Sequence, residues 1–137
     1  MDDSLSEKFL QELATKGGWY DARRIAALEA IQILGDPKFL PLVRESASKQ
    51  YNYQVRLESL GAWAACAPAD ADLVTALIEA ATTEILPVRA EALTLLGDLK
   101  IEQALPALED LAAHNGDSDI REAARNTIDK ILRGEVR

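Results

Sequence analysis

Arg24-Ile25-Ala26-Ala27-Leu28, Arg56-Leu57-Glu58-Ser59-Leu60, Arg89-Ala90-Glu91-Ala92-Leu93 and Arg121-Glu122-Ala123-Ala124-Arg125 decide the fold. Their arginines fall 32, 33 and 32 residues apart, a near-constant period over three intervals. The alignment runs on past the arginine. Three residues later stands a small residue (Ala27, Ser59, Ala92, Ala124), seven later a large apolar one (Ile31, Trp63, Leu96, Ile128), and ten later Leu34, Cys66, Leu99 or Ile131. Offsets of three, seven and ten share one face of an α-helix. The small residues would let a neighbouring helix approach closely, and the large ones would fill the space between layers.

Working outward, each of the first three arginine helices is followed by a break: Gly35-Asp36-Pro37, Ala67-Pro68-Ala69-Asp70 and Gly97-Asp98-Leu99-Lys100. Glycine supplies a left-handed C-cap and proline cannot continue a helix. Second helices are expected over Lys38 to Ser48, Asp70 to Ala81 and Glu102 to Ala113. Pro41 and Pro106 lie in their first turns, where a missing N–H costs little. Ahead of Arg24, Ser4 to Thr15 has a one-sided apolar pattern (Leu5, Phe9, Leu10, Leu13). Ser4 and Glu7 are spaced as a capping box, and Gly17-Gly18 follow as a stop. Asp119 to Arg133 reads as one more first helix. The expected architecture is all-α: a right-handed α-α solenoid of about four repeats and eight helices. Its units are a half repeat at 4–20, whole repeats at 21–53, 54–86 and 87–118, and a half repeat at 119–133. Such units bury their apolar faces only by stacking on neighbours. A closed bundle would not require the period.

Val55-Arg56, Val88-Arg89 and Ile120-Arg121 opening helices, Phe39-Leu40-Pro41-Leu42 and Ala104-Leu105-Pro106-Ala107-Leu108 opening second helices, and the turns Gly35-Asp36 and Gly97-Asp98 resemble HEAT repeats. The likeness is to the short bacterial kind found in phycobilisome-lyase-like proteins, and it covers about residues 21 to 132. It implies the fold and says little of function, because one fold hosts many functions. In the family the arginine commonly pairs with an acidic residue near the repeat junction. Asp21 and Asp119 are placed for that; Arg89 has no nearby aspartate, and the second repeat has Ala67-Pro68 in place of Gly-Asp. Trp19-Tyr20-Asp21-Ala22-Arg23-Arg24 through Ile131-Leu132 is also similar to the C-terminal helical repeats of bacterial zinc aminopeptidases related to aminopeptidase N. That likeness implies a domain packed on a parent catalytic domain.

Composition narrows the role. With 23 acidic against 15 basic residues the formal charge is −8, which disfavours nucleic acid and anionic membranes as partners. Aromatics are only 5% of the chain, and the β-branched and aromatic runs of strands are missing. No stretch approaches a membrane span, and the N-terminus has no secretory pattern. Cys66 is the only cysteine and sits in the apolar run Ala62 to Ala67, as a small core residue does. A cytoplasmic location is expected.

The residues offer no catalytic constellation. His114 is the only histidine, placed at a helix end where a cation complements the dipole. His-Glu-x-x-His is absent, paired with Cys66 alone His114 has no zinc-ligand spacing, and no serine sits in a nucleophile elbow. No metal, cofactor or catalytic residue is therefore expected. The leading expectation is a non-catalytic interaction or scaffold module. A grooved face lined by Glu45, Glu79, Glu109 and Asp110 would dock a protein partner by shape and charge. Trp19, Tyr20, Tyr51 and Tyr53 form a second candidate set. Trp19 and Tyr51 both precede their arginines by five residues, so these aromatics mark equivalent junctions. There they either form a binding edge or seal the ends of the interhelical layers. The alternatives are the peptidase-associated domain and a bilin lyase-like protein.

Overall fold

The computed structural model describes Leu10 and residues 21–133. Seven α-helices lie among these residues: α1 (Asp21–Leu34), α2 (Leu40–Ser46), α3 (Tyr53–Cys66), α4 (Ala71–Thr83), α5 (Leu86–Asp98), α6 (Leu105–His114) and α7 (Ser118–Leu132). Short 3-10 turns at Pro37–Phe39 and Glu102–Ala104 lead into α2 and α6. The described residues contain no strand. The expected eighth helix, Ser4 to Thr15, with its stop Gly17-Gly18, lies outside them except for Leu10, which is helical and buried.

The chain divides into two compact units, residues 1–68 and 69–137. In the first, α1 packs on α3, and α3 packs on α2. The second has α4 against α5, α5 against α7 and α7 against α6, with a smaller meeting of α4 and α6. Each arginine-bearing helix α3, α5 and α7 thus packs on the helix before it in the chain.

The helix starts follow the repeat. All four arginine-bearing helices begin three residues before their arginine, at Asp21, Tyr53, Leu86 and Ser118. Short polar side chains satisfy first-turn donors where they are available: Asn52 accepts from Val55 N, Asp70 from Asp72 N and Asp117 from Asp119 N. Such caps are worth about 1 kcal/mol each. Pro41, Pro87 and Pro106 sit in the first turns of α2, α5 and α6, where proline is preorganised and displaces no bond.

The core is the repeated face. Ala27, Ser59, Ala92 and Ala124 are all buried, as are Leu28 and Ile31 in the first unit and Leu73, Leu77, Leu96 and Leu108 in the second. The tenth-residue register holds at Cys66 and Ile131, which are buried, but fails at Leu34, the last residue of α1, which is 56% exposed beside the exposed Ile33.

The breaks differ from the expected ones in an instructive way. Gly35 does stop α1 in a left-handed conformation, with φ +60°. Gly97 does not stop α5: it lies inside the helix, and the left-handed residue is Lys100, with φ 52°. Gly35 and Lys100 are register equivalents, each eleven residues after its arginine. The third equivalent, Ala67, stays at φ −152° ahead of Pro68. Gly97 serves a close approach instead. A Cβ there would stand 3.2 Å from Lys130 Cδ and 3.6 Å from Thr127 Cγ2, both on α7.

Candidate interaction surface

The repeating arginines are structural. Arg56 Nη1 donates to the Tyr51 carbonyl at 2.6 Å, Arg89 Nη2 to the Thr82 carbonyl at 3.2 Å and Arg121 Nη1 to the Asn115 carbonyl at 2.6 Å. The Thr82 and Asn115 carbonyls lie at the C-terminal ends of α4 and α6, where carbonyls lack intrahelical partners and the dipole favours a cation, whereas the Tyr51 carbonyl lies in the turn between α2 and α3. Arg24, 5% exposed, donates to Ser46 Oγ at 3.3 Å and lies over the Tyr51 ring, 4.2 Å from its centroid. Neither aspartate that the family likeness implied is among these acceptors. Asp21 accepts a hydrogen bond from the Asn52 amide, and Asp119 is exposed in the first turn of α7. The sequence carried no signal for this, since a backbone acceptor has no residue code.

The four acidic candidates all lie on second helices and all are exposed: Glu45 on α2, Glu79 on α4, Glu109 and Asp110 on α6. Glu45 and Asp110 stand at the same register position, 21 residues after Arg24 and Arg89. Glu79, Glu109 and Asp110 belong to one compact unit and sit on adjoining helices. Asp110 Oδ1 is 3.2 Å from His114 Nδ1, one turn on, with both side chains 77% exposed. A pair so open to water contributes little to stability.

The aromatic candidates separate. Trp19 and Tyr20 lie outside the described residues. Tyr51 is half-buried under Arg24, and its carbonyl holds Arg56, so it serves the junction. Tyr53, first residue of α3, is 39% exposed and faces a hollow of about 230 Å³ lined also by Ile25, Gln54, Leu57 and Glu58.

A second hollow, of about 310 Å³, runs between α5 and α7 and is lined by residues including Ala90, Thr94, Gly97 and Ala123. It is open because its walls are short. The matching positions in the first unit carry Ile25 for Ala90 and Gln32 for Gly97, and Gln32 there packs over Gly61. Its hydroxyls are occupied: Thr94 donates to the Ala90 carbonyl, and Thr127 to the Leu93 and Ala123 carbonyls.

Among the described residues two ionisable groups are perturbed. Burial raises the Cys66 thiol, and the nearby Asp36 carboxylate raises it further, which keeps the thiol protonated and unreactive. Burial, with Asp98 adding to it, raises the Glu91 carboxyl. Among the described residues no group of three or more His, Cys, Asp or Glu could hold a metal ion. No described helix is long and apolar enough to cross a membrane.

Tandem helices in a fixed register, each arginine-bearing helix with a buried small residue three positions after its arginine, define an α-helical repeat protein. The family model for HEAT repeats matches residues 47–129, and the chain belongs to the HEAT-repeat family. No curated protein matches it.

Proposed function

We propose that this chain is a non-catalytic interaction module that holds a protein partner through the exposed acidic residues of its second helices. One observation carries the reading. Glu45, Glu79, Glu109 and Asp110 are all exposed, although nothing in the repeat's packing requires an acid at those places. HEAT repeats as a class mediate protein–protein contacts, and a chain of charge −8 favours a basic segment as the occupant, with steering by long-range attraction. Cys66, buried and protonated, suits a reducing cytoplasm. The peptidase-associated and bilin lyase-like readings have no observation of their own in favour.

The test is capture of a partner from the host lysate with the wild-type chain and with Glu79→Lys and Asp110→Lys. Binding that falls about tenfold or more with each reversal, at unchanged melting temperature, supports the reading. A partner retained equally by both variants removes it.

A further inference from the structure

The turn between α6 and α7 carries Asn115-Gly116, at the point where α6 ends and the junction arginine of α7 takes hold. The chain has three asparagines, and this is the one that precedes a glycine. Gly116 is exposed, and a Cβ built on it would meet nothing within 4 Å. Among the described residues its N–H donates to no acceptor. An unshielded main-chain nitrogen one residue after a side-chain amide is the arrangement from which a five-membered imide closes. We propose that Asn115-Gly116 is a site of spontaneous deamidation, latched by the Arg121 junction and released when α7 lifts from the end of α6.

The chemistry needs only water. Hydroxide takes the Gly116 N–H proton, and the nitrogen attacks Asn115 Cγ. The new N–C bond forms as the Cγ–Nδ2 bond breaks and ammonia leaves. Water then adds to either carbonyl of the imide and opens it, leaving aspartate or isoaspartate at position 115. The fold controls the first step. Closing the ring requires the Gly116 nitrogen to swing round to the side of Asn115 Cβ, and a ψ of 139° holds it well away. Two bonds keep that torsion: Asn115 Oδ1 accepts from Asp117 N at 2.9 Å, and the Asn115 carbonyl accepts from Arg121 Nη1 at 2.6 Å. Both must break before ψ can turn, and a local opening of the α6–α7 turn breaks them together without global unfolding. Asn52 and Asn126 are internal controls. Asn52 caps α3 ahead of the bulky Tyr53, and Asn126 lies inside α7 ahead of the β-branched Thr127. The isoaspartate product adds a main-chain methylene at 115, which carries the carbonyl away from Arg121 and fixes the opened state.

The test holds the whole chain at mildly alkaline pH and follows it over weeks by peptide mass mapping with an isoaspartate assay. Conversion is expected at Asn115 and not at Asn52 or Asn126. Isoaspartate among the products identifies the ring, because direct hydrolysis gives aspartate alone. Gly116→Ala fits the open space and a backbone without positive φ. It should slow conversion roughly tenfold at an unchanged melting temperature, since a Cβ restricts the torsions that the nitrogen must visit. Arg121→Ala should speed conversion several-fold by removing half of the latch. Where a melting curve shows that variant to be unfolded, the wild type in urea well below its unfolding midpoint takes its place. A rate that climbs there supports the latch, and one that climbs only with global unfolding overturns it. Conversion as fast in the folded as in the urea-unfolded chain, an unchanged rate in a folded Arg121→Ala variant, or no conversion at Asn115 also overturns the proposal.

Discussion

Glu91 shows how the repeat sets the chemistry of a single residue. It stands two positions after Arg89 on α5, and burial raises its carboxyl above the ordinary glutamate value, with Asp98 on the same helix raising it further. Such a group opposes folding when ionised. Below the ordinary value of 4.5 it is neutral in the folded and unfolded chain alike and has no effect. As pH rises into the window between that value and the raised folded one, the unfolded chain loses its proton first. Stability therefore falls through the window and stays lower above it. Glu91→Gln keeps the shape and removes the charge, so it should raise the melting temperature near pH 7, and the gain should shrink to nothing below about pH 4. Thermal melts at the two pH values check this; a gain that is the same at both would mean that the effect is not one of charge.

At the scale of the element, the end of α5 is a small clasp. The Lys100 ammonium donates to the Lys130 and Arg133 carbonyls at 2.7 and 2.9 Å, the last carbonyls of α7, while the Lys130 ammonium bonds the Asp98 carboxylate. The two helix ends therefore hold each other by charge and by capping. Lys100 does this from a left-handed backbone, φ 52°, which costs a non-glycine residue roughly 1–2 kcal/mol. Lys100→Ala should lose the bonds and keep the strain, whereas Lys100→Gly should lose the bonds and relieve it. The glycine variant should be the more stable of the two by about 1 kcal/mol in urea unfolding, and equal midpoints would deny that the strain is real. This element also marks where the sequence could be read and where it could not. Helix positions and the buried face followed from the spacing of arginines and small residues, because periodicity records which side of a helix is covered. The turn after α5 did not follow: a glycine beside an aspartate looks like a stop, yet Gly97 is there to admit α7, and the stop fell three residues later on a lysine. The recurrence of the arginines was legible, but their carbonyl acceptors were not. Of the candidate site, the exposure of the four acids follows from their position off the packed face. The hollow beside Tyr53 depends on which side chains from α1 and α3 meet, and a one-dimensional pattern does not encode that.

Charge acts at the scale of the whole molecule, and it pulls stability and binding in opposite directions. Excess acid, 23 against 15 basic residues, makes the folded chain repel itself, since folding brings like charges closer than they lie in the unfolded chain. Salt screens exposed charges beyond about 8–10 Å at 0.1–0.15 M, so it relieves repulsion spread over the surface. Short contacts such as Arg56 to the Tyr51 carbonyl and Arg24 to Ser46 are part-buried or buried and are screened much less. Raising sodium chloride from about 0.01 M to 0.5 M, across which the screening length falls from roughly 30 Å to a few ångströms, should therefore raise the melting temperature. The same salt should weaken capture of a basic partner, whose attraction to Glu45, Glu79, Glu109 and Asp110 is exposed and long-ranged. Calorimetric melts and partner titrations across that range read the two trends together. A melting temperature that falls with salt would show that attractive surface pairs outweigh the net charge. Partner binding that ignores salt would mean that docking depends on apolar contact, and the acidic residues would then be no more than a solvated face.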